Sequence, residues 1–169
     1  GSGLTYRGYD VSELADKCIF EEVAYLLLYG NLPTQSELDA YQTKLKQMRG
    51  LPQDLKDVLE RIPASAHPMD VLRTGCSMLG NLETETDFAQ QNDQADRMLA
   101  VFPSIINYWY RFTHDNVRIE TETDDDTIGG HFLHLLKGEK PNELHTKVMN
   151  VSLILYAEHE FNASTFTAR

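Results

Sequence analysis

The sequence predicts an all-α protein, and three observations carry that expectation. Helix start and stop signals recur along the chain, period-two alternation is almost absent, and so are the Asn-Gly and Asp-Gly pairs that close tight hairpins. With 169 residues, 41% of them hydrophobic, one core of ordinary size can be buried.

The first strong helix is FEEVAYLLLYG, residues 20–30. Glu21 and Glu22 suit its first turn, Val23, Leu26 and Leu27 form a buried stripe, and Gly30 suits its C-terminal cap. Thr34 with Glu37 three residues on makes a capping box for an amphipathic run to about Arg49, so the two helices should form a short-loop antiparallel pair. Pro52 and Pro68 read as first-turn prolines of helices near 52–61 and 68–80, and His67 is placed to bond backbone and help start the second. Small residues in RTGCSMLG should let that helix approach a neighbour closely. NLETETDFAQQND reads as a loop before a helix over 92–114, which Pro103 should kink. An acidic run, TETDDDT, then precedes an apolar helix. Its carboxylates read as solvated and as favouring the helix N-terminus, since the ligand spacing of an EF-hand is missing. From Asn142 a last helix carries Leu144, Val148, Val151 and Leu155 at helical spacing towards His159.

Composition excludes some functions. The formal charge of -11 repels a phosphate backbone, so nucleic acid is not expected as a partner. No apolar run reaches the roughly 18 residues of a membrane span, and no signal peptide is visible, which together predict a soluble cytoplasmic protein without a membrane partner. Cys18 and Cys76 lack metal or redox spacing and read as two buried free thiols.

Among the six histidines, His131 and His134 share a helical face, but a third ligand and an H-E-x-x-H pattern are missing, so no metal site is expected. His134, among Phe132, Leu133, Leu135 and Leu136, reads as a hydrogen-bonded core imidazole, and His114 and His145 read as surface residues. His159 differs, because it sits in EHEFNAS with several hydrogen-bonding groups nearby. An imidazole N–H there can donate to a ketone or carboxylate oxygen or serve a buried structural network. No nucleophile elbow, Walker loop or dinucleotide fingerprint is present.

GLTYRGYDVSELA, FEEVAYLLLYGNLPT, HPMDVLRTG, FLHLLKGEKP and LILYAEHEFNASTFTAR, in that order over nearly the whole chain, resemble the citrate synthase family. YWYRF, TDDDTIGGHFLHLL and EHEFNASTFTAR are most similar to its bacterial methylcitrate branch. The resemblance implies an all-helical homodimer whose large and small domains close over oxaloacetate and an acyl-CoA, propanoyl-CoA in that branch, with no metal and no bound cofactor. It places an oxaloacetate-binding role on His159 and makes Asn162 a neighbour that shapes the same pocket. The family's G-P-x-H-G-G and G-x-G-H motifs do not occur in residues 1–169, so no catalytic residue is assigned within this chain. On this resemblance residues 1–169 are the N-terminal part of the large domain of a longer enzyme and inactive alone. Rival readings are acetyl-CoA as the substrate, a non-catalytic helical dimerisation module, and a histidine-rich metal binder.

Overall fold

The computed structural model describes residues 5–84, 87 and 92–160. Among these the chain forms a two-residue hairpin, β1 (Thr5–Tyr6) and β2 (Tyr9–Asp10), and then eight helices. They are α1 (Val11–Lys17), α2 (Phe20–Tyr29), α3 (Gln35–Gln47), α4 (Gln53–Glu60), α5 (Pro68–Leu82), α6 (Asp93–Asp115), α7 (Ile128–Lys137) and α8 (Glu143–Glu160).

The caps follow the sequence chemistry. Thr34 and Glu37 exchange side-chain-to-backbone bonds at the start of α3, and Gly30 ends α2 in the left-handed region at φ 95°. His67 accepts from the Met69 backbone N–H through Nδ1, and Pro68 opens α5, whereas Pro52 sits one place earlier than expected, as the N-cap of α4. Helix α6 runs through Pro103, whose ring nitrogen has no N–H to give to the preceding turn.

Two elements were not anticipated. Asp10 caps α1 by accepting from Ser12 and Glu13 N–H groups, and the hairpin before it turns on Arg7 (φ 50°) and Gly8 (φ 88°). Such a turn needs two left-handed residues and usually draws Asn-Gly. Arg7 accepts the strained position while its guanidinium donates to the carbonyl of Leu27 on α2 at 3.2 Å.

Two apolar clusters share α6. Val11, Leu14, Phe20, Val23, Leu26, Tyr41, Leu45, Ile128, Ile154 and Ala157 gather around Ala100, joining α1, α2, α3, α7 and α8. One residue on, Val101 with Ile105, Tyr108 and Trp109 turns to Leu55, Leu59, Val71 and Leu79 of α4 and α5. The small residues of α5 serve as expected, because a Cβ on Gly75 would lie 2.7 Å from Cγ2 of Ile105. Only hydrogen there lets α5 and α6 approach without displacing a fully buried side chain.

Four expectations are corrected. On α8 the buried positions are Asn150, Ile154 and Ala157, whereas Leu144, Val148 and Leu155 are 67%, 57% and 44% exposed. The helix is apolar on more than one side, so periodicity alone selected the wrong stripe. Cys18 and Cys76 are free but half-buried, each thiol pushed up by burial, with Glu22 adding to the effect at Cys18. His134 is part-exposed, and among the described residues the imidazole wholly inside the protein is His131. Within the acidic run, Asp124 and Asp126 face solvent, but Asp125 is buried.

Candidate functional site

His159 lies in the last turn of α8, and its side chain falls outside the described residues, as does all of Asn162. What is described is the framework that holds that helix. Buried Ile154 and Ala157 seat α8 in the first core beside Val11, Leu14 and Ile128, and Asn150 donates through Nδ2 to the carbonyl of Thr146 one turn earlier. Gly129 of α7 allows the approach, since a Cβ there would meet Oδ1 of Asn150 and Cγ of Met149, each at 3.3 Å.

Behind the start of α7 runs a buried polar chain. Thr123 Oγ1 donates to Asp125 Oδ2 at 2.6 Å, so it accepts from His131 Nδ1 at 2.9 Å. That assigns the N–H of neutral His131 to Nδ1 and leaves Nε2 facing Ser104 Oγ at 3.2 Å. The one hydroxyl proton of Ser104 is shared between that nitrogen and the carbonyl of Arg49, 2.8 Å away, and His134 Nδ1 meets Asp125 Oδ2 at 2.7 Å. The two histidines that share a face thus serve different partners. Among the described residues no group of three or more His, Cys, Asp or Glu side chains is placed to hold a metal ion.

Burial, reinforced by Arg49, pushes the His131 imidazole down to about 3. Asp125 is held below the usual carboxylate range: burial acts the other way, and the bonds from Thr123 and His134 outweigh it. Both shifts have the same sign for stability. The unfolded chain takes up protons first, so their contribution is lost as pH falls below the ordinary histidine and aspartate values.

Arg49 and Glu21 complete this interior. Arg49 is 2% exposed and donates to the carbonyls of Thr123 at 2.9 Å and Thr127 at 3.3 Å, pinning the acidic loop to the end of α3. Glu21 is 1% exposed, and its Oε1 accepts the N–H of Ile128, the first residue of α7, at 2.6 Å. Sequence reasoning missed Glu21, Arg49 and Asp125 as interior charges. Glu21 belongs to an acidic pair suited to a first turn, Arg49 to the basic end of α3 and Asp125 to an acidic run, and only the fold shows that they turn inward.

Two clefts open at the surface of this framework. One, of about 510 Å³, is lined by Lys17, Asp126, Thr127, Lys140, Glu143 and Lys147 among others, and the second, of about 410 Å³, by residues including Arg111, Glu122, Asp124 and His134. Both mix charges of either sign, so neither selects a ligand by charge.

The family model described as citrate synthase, C-terminal domain, matches residues 1–169. The chain belongs to the citrate synthase family. Over 169 residues it is 76% identical to the 2-methylcitrate synthase of Shewanella oneidensis, a match covering all of this chain and 45% of that protein. The crystal structure of citrate synthase from Thermotoga maritima matches at 36% identity with a TM-score of 0.80, covering 97% of this chain and 42% of the other. A ternary complex of the Thermoplasma acidophilum citrate synthase with carboxymethyl coenzyme A and oxaloacetate matches at 28% identity and a TM-score of 0.80, over 94% and 42% of the two chains. The chain therefore has the mostly helical citrate synthase fold over less than half the length of the relatives it matches. Among the described residues no helix is long and apolar enough to cross a membrane.

Proposed function

We propose that residues 1–169 are the N-terminal part of the large domain of a 2-methylcitrate synthase. The observation that carries this reading is the 76% identity to the Shewanella oneidensis enzyme along all of this chain, against 36% to the Thermotoga maritima citrate synthase. The reaction joins the α-carbon of propanoyl-CoA to the ketone carbon of oxaloacetate. The α-proton leaves to a base, the ketone oxygen gains a proton, and water then cleaves the thioester to give 2-methylcitrate and CoA. Charge builds on the ketone oxygen as the carbon–carbon bond forms, so a donor fixed at that atom lowers the barrier.

His159 is that donor in our reading, and Asn162 shapes the pocket beside it. The buried face of α8 supports this assignment, because Ile154 and Ala157 tie the helix that carries His159 to a packed core rather than to a surface loop. No residue of this chain is assigned to proton abstraction, and residues 1–169 by themselves are expected to show no turnover. The enzyme is proposed to act as a cytoplasmic homodimer, binding oxaloacetate and the acyl-CoA without a metal or bound cofactor.

Turnover of the full-length protein with propanoyl-CoA and acetyl-CoA tests the substrate. One methylene in an apolar pocket is worth about 1–3 kcal/mol, so kcat/KM should favour propanoyl-CoA by roughly 10- to 200-fold. A preference for acetyl-CoA would make the protein a citrate synthase instead. His159→Ala should lower kcat by about 100- to 1,000-fold and weaken oxaloacetate binding while leaving the thermal midpoint near that of the wild type. Unchanged kinetics would remove His159 from the site.

A further inference from the structure

The carboxyl group of Glu21 occupies an unusual place. It comes from the first turn of α2, is almost wholly buried, and spends Oε1 on the backbone N–H that opens α7. Its other oxygen, Oε2, is also buried and has no hydrogen-bond partner among the described residues. The counter-charge that acts on it, Arg49, directs Nη1 and Nη2 to the carbonyls of Thr123 and Thr127. A carboxylate in this position leaves one oxygen unsatisfied in a low-dielectric interior, whereas a neutral carboxyl keeps the bond to Ile128 without a buried charge.

We propose that Glu21 is a proton-operated latch at the contact between α2 and α7: protonated, it seals the first turn of α7 against the core, and deprotonated, it loosens that turn. The segment it controls links two parts of the framework. It faces the core that seats α8 through Ile128, and it borders the larger cleft through Thr127 and Gly130.

The charged surroundings agree with this role. Burial raises the carboxyl to about 7, with Glu22 on the same helix adding to the rise; the backbone N–H groups of Ile128 and of Glu21 itself and the charge of Arg49 oppose it. From α3, Tyr41 feels Glu21 but gives its hydroxyl to Asp96 at 2.7 Å. On α7, both ring nitrogens of His131 are already engaged with Thr123 and Ser104, and Asp125 of the adjoining loop is held by Thr123 and His134. The described charged residues of α8, Glu143 and Lys147, are exposed. No other described side chain therefore offers Oε2 a donor.

A raised carboxyl value means that the closed contact holds its proton more tightly than the open one. Its stabilisation is complete below the ordinary 4.5 and is lost as pH rises through about 7. The test is amide hydrogen exchange of the full-length protein at Ile128, Gly129 and Gly130, corrected for the intrinsic pH dependence of exchange. Protection in the wild type should fall on the order of 100-fold between pH 5 and 7.5. Glu21→Gln, a neutral isostere, should keep high protection that does not vary with pH. The same fall in Glu21→Gln would overturn the latch. Should that variant not fold, carboxyl-carbon NMR of glutamate-labelled wild type decides: one carboxyl titrating near neutral pH is expected, and titration of every glutamate below pH 5 overturns it.

Discussion

Asp96→Ala is expected to destabilise the fold by about 3–5 kcal/mol, read as a lower urea midpoint with an unchanged slope. Asp96 is wholly buried on α6 and accepts three bonds, from the hydroxyls of Tyr29 and Tyr41 and from Nζ of Lys44, each at 2.7 Å. Lys44 also reaches Asp93 at 2.6 Å, so one carboxylate gathers α2, α3 and α6 at the centre of the first core. Tyr29 and Tyr41 add packing through edge-on rings 5.9 Å apart, and both stand against Tyr25. Alanine would leave two phenolic donors in apolar surroundings and an ammonium with half its partners. Burial, reinforced by the Asp96 carboxylate, pushes the Tyr29 hydroxyl up to about 12, so in the wild type it remains a protonated donor at neutral pH. Asp96→Asn keeps the volume and one acceptor oxygen and should cost clearly less. Equal losses for the two variants would show that an isosteric amide cannot stand in for the carboxylate, so that its charge and paired acceptor oxygens, not the volume it fills, are what matter there.

Why Asp96 was not visible in the sequence, although α6 was, comes down to what periodicity measures. Apolar spacing and caps depend on residues a few places apart, so the helices over 20–29, 35–47, 53–60, 68–82, 93–115 and 143–160 were legible to within two residues. Several interior polar groups depend on partners far along the chain, 52 places for Lys44 with Asp96 and 107 for Glu21 with Ile128. Short elements were missed for a different reason. Helix α1 has seven residues, too few for a period to emerge, and the hairpin before it turns on Arg-Gly, where Arg7 takes a left-handed conformation for which its side chain gives no signal. On α8 the apolar residues exceed what one face can bury, and only packing decides that Ile154 faces inward and Leu155 outward. The site fared similarly. His159 stood out by its polar neighbours in EHEFNAS, and resemblance to the family added the oxaloacetate role for it and the pocket role for Asn162, whereas the His131 chain behind α7 needed three-dimensional neighbours from α6 and the acidic loop.

Arg49→Met should cost a further distinct amount, about 3–5 kcal/mol, because it removes the cation from a buried polar interior without removing the anions. The side chain of methionine fills comparable space, so the loss isolates the guanidinium from its packing. The carbonyls of Thr123 and Thr127 would lose their donors, and Glu21 would lose the positive charge that lowers its proton affinity. The pH dependence follows from the last of these. With Arg49 gone, the Glu21 carboxyl is pushed still higher, so the penalty of the substitution should grow as pH rises from 5 to 8. His131 moves the other way, since Arg49 helps to depress it, and the loss at acid pH should be partly relieved. Denaturation of wild type, Arg49→Met, Glu21→Gln and the double variant at pH 8 forms a cycle that separates the two effects. Glu21→Gln should recover part of the Arg49→Met loss, because the anion that needed the cation is no longer there. If the two changes simply add at pH 8, Arg49 acts only through the carbonyls of the acidic loop, and its charge plays no part in holding Glu21 against α7.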